Sequence, residues 1–210
     1  MEGLAITPDG KTLVGIMQAP LIQDGGKTVR IVTIDIRTGA TQQYAYTLTT
    51  GSGVSEILAV NNHEFLADER DGKGLGDNST AVVKQLYHID LNGAQEVLSS
   101  DTGVTIAAKA VVKTPFLDIV AVLKAHGIDS KDIPAKIEGV AFGPDVVMSG
   151  VIKHTLFVAN DNDFIAIVTD TNHPAGIDNS NKFFVFAVDA ADLPDFSPQS
   201  IDALPLPCLR

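Results

Sequence analysis

Three short segments of this 210-residue chain share one pattern: a glutamate, any residue, Leu or Val, an alanine and a further apolar residue. They are Glu2-Gly3-Leu4-Ala5-Ile6, Glu56-Ile57-Leu58-Ala59-Val60 and Glu138-Gly139-Val140-Ala141-Phe142. On a strand, alternation puts the glutamate on the same face as the Leu or Val and the last apolar residue. The residues that follow each box repeat as well. The chain is therefore read as copies of one supersecondary unit, which confines it to an array of like units.

The first unit reads as four strands, near Glu2–Thr7, Thr12–Met17, Thr28–Ile36 and Thr41–Leu48. Turn residues separate them: Pro8-Asp9-Gly10, Asp24-Gly25-Gly26 and Arg37-Thr38-Gly39. The second unit repeats this as Val54–Val60, Glu64–Arg70, Val83–Leu91 and Gln95–Leu98. The third gives Ile137–Phe142, Thr155–Ala159, Phe183–Val188 and an outer segment near Leu193–Phe196. Each third strand ends in the same way, with Asp35, Asp90 or Asp189 closing an alternating run.

Units of four strands suggest the blades of a β-propeller. The expected fold is all-β: one domain of about three four-stranded blades over residues 1–52, 53–100 and 137–200, with a helical insertion over 101–136. In the insertion Thr114 is a plausible N-cap, Pro115 a first-turn residue and Gly127 a stop. Phe116, Ile119, Val120 and Leu123 fall at i, i+3, i+4 and i+7, one apolar helix face. Closed propellers have roughly four to eight blades. An array of three therefore calls for N-terminal blades beyond this sequence, or for a homo-oligomer in which two chains make six.

The formal charge of −11, from 26 acidic and 15 basic residues, argues against a nucleic-acid binder. An anionic substrate would need bound cations. No apolar run is long enough to span a membrane as a helix. Cys208 is the single cysteine, so an intrachain disulfide is excluded and cysteine says nothing of the compartment.

The stretches Glu2–Leu13, Val54–Gly72, Leu86–Ala94 and Glu138–Asp163 resemble the phytase-like family, which is described as having esterase-like activity and is related to β-propellers. The most specific block is SEILAVNNHEFLADERDG, from Ser55 to Gly72. The resemblance implies hydrolysis of phosphate or carboxylic esters, with a small-molecule ester or phosphoester as substrate. It also implies a bacterial protein that is periplasmic or secreted, although the chain shows no signal peptide. Such proteins usually carry an N-terminal portion that this sequence lacks.

The second strands of the units end in polar clusters, among them Asp68-Glu69-Arg70-Asp71 and Asn160-Asp161-Asn162-Asp163. If blade ends gather around one axis, Glu2, Glu56, Glu138, Glu69 and Asp161 converge. Carboxylates about 8 Å apart at an effective dielectric near 20 repel by about 2 kcal/mol per pair. Something must offset that, and oxygen ligands without His or Cys partners favour Ca²⁺. Arg70 is the candidate for holding a substrate anion, against the plainer expectation of an ion pair with Glu69 or Asp71.

No G-x-S-x-G elbow and no P-loop is present, and the five histidines show no metal-ligand spacing. Asn160–Asp163 fails the EF-hand pattern, with Ala166 where glycine belongs. Two functions follow. One is a Ca²⁺-assisted ester or phosphoester hydrolase using those five carboxylates and Arg70. The other is a non-catalytic propeller module with structural Ca²⁺.

Overall fold

The computed structural model describes residues 1–199; Cys208 and the Pro-rich stretch Leu204–Pro207, expected as an extended tail, lie outside them. The first sheet holds β1 (Gly3–Ile6), β2 (Thr12–Ile16), β3 (Thr28–Asp35) and β4 (Thr41–Thr47), in that order. The second holds β5 (Gly53–Ala59), β6 (Glu64–Arg70), β7 (Lys84–Asp90) and β8 (Lys113–Asp118), again in chain order. Both are antiparallel meanders, as blades require.

The third sheet is less regular. Its inner strand β9 (Ile137–Phe142) pairs with β11 (Val151–Asn160), which pairs in turn with β14 (Phe183–Asp189). Short β10 (Val146–Met148) folds back on the start of β11, and β12 (Ile167–Val168) with β13 (Ile177–Asp178) forms a separate ribbon. The outer segment expected near Leu193–Phe196 is not a strand. A 3₁₀ turn at Ala190–Asp192 leads the chain away, and Ser197 N–H donates to Val60 O of the second sheet at 2.9 Å.

The inserted region differs from expectation in an instructive way. Residues 113–118, read as the start of a helix, form the fourth strand of the second blade, and Gln95–Leu98 do not. Pro115 is tolerated there because β8 is an outer strand and Pro115 sits where its register against β7 shifts. The helix begins one turn later: α2 spans Ile119–Ala125, with Asp118 as N-cap accepting from Ala121 N–H at 2.9 Å. Its buried residues are Ile119, Val120 and Leu123, three of the four on the anticipated face.

Between these, α1 (Val104–Ala107) and its flanks close the outer edge of the first blade. Val97 N–H donates to Gln43 O and Val111 N–H to Ala45 O, so the exposed side of β4 is paired rather than open.

The three inner strands β1, β5 and β9 lie next to one another, and the sheets fan out from them with an apolar layer in each gap. Between the first two blades Val14, Ile16, Val29 and Ile31 meet Ile57, Phe65, Ala67 and Ile89. Between the second and third, Leu66 and Leu86 meet Val140, Leu156 and Val158, with Leu58 against them. Burying each such side chain stabilises by about 1.5–3 kcal/mol.

These two layers show that the second box is one residue out of step with the others. Leu58 faces the third blade, as Ala5 of the first blade faces the second; Ile57 faces back, as Val140 does. The hairpins agree, since Val60 N–H closes on Glu64 O where Thr7 N–H closes on Thr12 O. An irregularity in β5 between Val54 and Glu56 absorbs the offset. Structurally, then, Ser55 stands where Glu2 and Glu138 stand, and Glu56 stands where Gly3 and Gly139 stand.

Candidate functional site

The inner edges of β1, β5 and β9 border a groove of about 900 Å³. Leu4, Ile6, Leu58, Ala141, Phe142 and Phe196 make it largely apolar, and Glu56, Asp145 and His154 supply its charge. Among the described residues no lysine or arginine lines it.

Glu56 is half-buried at the free inner edge of β1, where its Oε1 accepts from Ile57 N–H at 2.9 Å and Leu4 N–H at 3.3 Å. Burial raises its pKa above the ordinary carboxylate value, and those two N–H groups only partly oppose the rise. His154, on β11, is buried against the Phe196 ring at 4.4 Å, with Phe142 edge-on at 6.4 Å. Its Nδ1 lies 2.8 Å from Asp145 Oδ1. With Nδ1–H donating to that carboxylate, Nε2 is left as the basic nitrogen.

The five carboxylates expected to share a cation are placed separately. Glu2 is exposed and accepts from Gln18 Nε2 at 3.3 Å. Glu69 is fully buried, its Oε1 receiving the N–H groups of Thr49, Thr50 and Gly51 and its Oε2 the Tyr46 hydroxyl and Lys113 Nζ. Burial alone would raise its pKa, but Lys113 and the Gly51 N–H outweigh it and hold the carboxyl below its usual value. Glu138 pairs with Arg70. Asp161 is exposed and accepts from Asp163 N–H at 2.8 Å, in a turn that Lys136 joins through Asp163. Among the described residues no three His, Cys, Asp or Glu side chains group as metal ligands. The protein's own donors occupy Glu69 and Glu138, so this set does not fit a shared calcium ion, and no step below passes through one.

Arg70 is tied to the third blade rather than to Glu69 or Asp71 as an ion pair. Besides Glu138 it reaches Asp71 O at 3.5 Å. Asp71 is taken by Lys84, whose Nζ is fully buried and lies 2.6 Å from Asp71 Oδ1. Asp68, two residues before Arg70 on the same face, is also fully buried; Ser55 Oγ donates to its Oδ2 at 2.9 Å. Burial pushes its carboxyl up to about 7, with the Ser55 bond and the charges of Arg70 and Lys84 working against that and Glu56 adding to it. Asp68 Oδ1 and Arg70 Nε have no hydrogen-bond partner among the described residues.

Sequence reasoning passed over Asp68, Lys84, Lys113 and the His154–Asp145 pair. Asp68 was legible in principle as the apolar-face position of an alternating strand. His154 and Asp145 are nine residues apart across an unpredicted hairpin, and nothing in their spacing announces them. The remaining histidines have local partners, such as Asp90 at 2.9 Å from His63 and both Asp132 and Asp170 around His173.

This fold and groove have a family. The model of the phytase-like family, described as esterase-like activity of phytase, matches residues 1–164, and the chain belongs to that family. The matched segment covers the first two blades, the insertion, the inner strand β9 and the groove-lining residues apart from those from Phe196 onward. A search of curated proteins and a search of solved structures each return no match. The family points to a hydrolase-like function. No helix of the described residues is long and apolar enough to cross a membrane.

Proposed function

We propose that the groove along β1, β5 and β9 is the substrate site of a carboxylic-ester hydrolase. The observation that carries this is the pairing, in one apolar groove, of an imidazole oriented by a carboxylate with a half-buried carboxyl of raised pKa. His154 Nε2 takes a proton from water as it adds to the ester carbonyl, Asp145 holding the ring and stabilising its cation. Glu56, protonated more readily than an exposed glutamate, gives a proton to the departing alkoxide. Leu4, Ile6, Leu58 and Phe142 suit an apolar acyl or alcohol part.

A phosphate monoester suits the groove less well, because its charge would meet Glu56 and Asp145, and no lysine or arginine among the described residues lines the groove to offset them. Ca²⁺-assisted phosphoester hydrolysis, with Arg70 holding the anion, is the alternative chemistry, supported by the family description alone. A non-catalytic module with structural Ca²⁺ has one observation in its favour: Glu56 also serves to bind the edge of β1.

The test is turnover of p-nitrophenyl butyrate and p-nitrophenyl phosphate, each after EDTA and again after Ca²⁺ is restored, with thermal melting followed in parallel. Ester turnover that survives EDTA and falls at least tenfold in both His154→Gln and Glu56→Gln supports the proposal. Phosphate turnover restored by Ca²⁺ would replace it with the metal-assisted reading. Melting that depends on Ca²⁺ with no turnover of either ester would leave a binding module.

A further inference from the structure

The hairpin of β10 and β11 outlasts the sheet it belongs to. β14 pairs with β11 only as far as Lys153, opposite Asp189, and a 3₁₀ turn then leads the chain away. Val151 and Ile152 lie beyond that point and pair with β10 alone among the described residues. Ser149 and Gly150, at φ 52° and 78°, close the hairpin in the tight two-residue turn that twisted strands favour. The register spans three residue pairs, so the projecting ribbon is about 10 Å long.

This ribbon is apolar on both faces. Val147 and Ile152, opposite each other on one face, are 71% and 55% exposed. Met148 and Val151, opposite each other on the other, are 52% and 49% exposed. No residue from Val146 to Ile152 carries a charge. Exposed apolar side chains gathered in this way mark an interaction site, and their two-sidedness selects what they meet. A folded partner laid against the ribbon covers one face and leaves the other in water. A fluid apolar layer surrounds both. Interfacial apolar segments reach about 5–10 Å into the boundary of headgroups and acyl chains, a depth that the ribbon's length supplies.

The base of the ribbon is the Asp145–His154 pair. Asp145 precedes Val146, His154 follows Lys153, and both line the groove. Lys153, at the same level, pairs with Asp189 and holds the base to β14. The apolar tip is thus fixed directly to the basic pair of the groove.

We infer that the ribbon inserts into a lipid surface, and that the groove draws from that surface an ester with a long apolar acyl chain. The insertion stands on the ribbon alone, whereas the choice of substrate rests on the ester-hydrolase reading above. The formal charge of −11 makes attachment a matter of apolar burial rather than of attraction to anionic headgroups. The groove, at about 900 Å³, lies near the upper end of the roughly 300–1,000 Å³ of ligand sites and has room for a long chain.

Flotation of the full chain with phosphatidylcholine vesicles tests the insertion. Turnover of p-nitrophenyl palmitate dispersed in those vesicles, beside p-nitrophenyl butyrate in solution, tests the substrate. The wild type should float equally at low and high salt, and Val147→Asp/Ile152→Asp should bind at least about tenfold less. Both side chains are exposed, so the variant should keep its circular dichroism, melting and butyrate turnover while its palmitate turnover falls with its binding. Phe183→Asp alters a side chain just as exposed on β14 and should float as the wild type does. A wild type that stays in the buffer, that floats only with anionic lipid or Ca²⁺, or that loses binding as fully in Phe183→Asp would overturn the insertion. Equal palmitate turnover in the wild type and the ribbon variant would overturn the choice of substrate. Turnover of neither ester would remove the hydrolase reading and that choice with it, while flotation still decides the insertion.

Discussion

Arg70, the last residue of β6, pairs with Glu138, the second residue of β9, and so ties the second blade to the third. The guanidinium is buried, and the glutamate is partly so. Replacing Arg70 with Met would leave Glu138 without its cation and Asp68 with Lys84 alone of its two neighbouring positive charges. Removing one partner of a fully buried pair costs roughly 3–5 kcal/mol. The partial exposure of Glu138 reduces this to about 2 kcal/mol by the same reasoning. Urea unfolding should show that loss for Arg70→Met, and Arg70→Met/Glu138→Gln should recover part of it. Equal losses in the single and double variants would mean the pair contributes nothing.

Gly3 and Gly139 occupy the same place in their boxes but differ in what they touch. A Cβ at Gly3 would lie 2.6 Å from Ile57 N and 2.7 Å from the Glu56 carbonyl carbon, both backbone atoms that cannot yield. At Gly139 the nearest atom is Ala159 Cβ at 3.6 Å, an ordinary contact. Gly3→Ala should therefore destabilise by about 1–3 kcal/mol through the junction of the first two blades. Gly139→Ala should be neutral within about 0.5 kcal/mol. Chemical denaturation of the two variants side by side decides it, and a neutral Gly3→Ala would show that β1 does not press on β5 in solution.

Asp68 sets a pH dependence of unusual sign for a carboxylate. Its folded value of about 7 lies above the ordinary 3.8, so the folded state binds the proton more tightly than the unfolded chain. The stability this lends is complete below pH 3.8 and is lost as pH rises through 7. Asp68→Asn keeps an acceptor for Ser55 and removes the titration. Between those limits its stability should fall less steeply with pH than the wild type's, the two diverging by at most about 4 kcal/mol above neutrality. Parallel curves for the two proteins would show that Asp68 ionises normally.

The fold was legible where local pattern and tertiary role coincide. Glu64–Arg70 and Ile137–Phe142 have the expected bounds, because turn residues and strict alternation fix both ends. Pro115 misled, since its ring suits a helix's first turn and an outer strand alike, and only the partner strand chooses. The boxes misled about chemistry for a deeper reason. A one-residue offset on a strand reverses every side chain, and letters alone do not show that Glu56 is matched in space to Gly3 rather than to Glu2. Carboxylates that align in sequence therefore do not gather in the structure. Glu69 was singled out, but its saturation by Thr49, Thr50 and Gly51 depends on how the chain leaves β4, which carries no sequence signature.

Lys113 provides the last test, because it joins the inserted region to the carboxylate at the centre of the first gap. Its Nζ lies 2.5 Å from Glu69 Oε2 and 4.1 Å from the ring centres of both Tyr46 and Tyr87. Burial lowers the pKa of the ammonium, and the bond to Glu69 opposes that. In Lys113→Met the fully buried Glu69 keeps its N–H donors but loses its countercharge, a change of about 3 kcal/mol near neutral pH. The folded pKa of Glu69 is held low in the wild type, so its contribution is present above the ordinary 4.5 and fades as pH falls through the folded value. The gap between wild type and Lys113→Met should accordingly be widest at neutral pH and narrow in acid. Unfolding curves at pH 7 and pH 3.5 test this directly, and a gap of constant width would reduce Lys113 to a packing role between its two tyrosines.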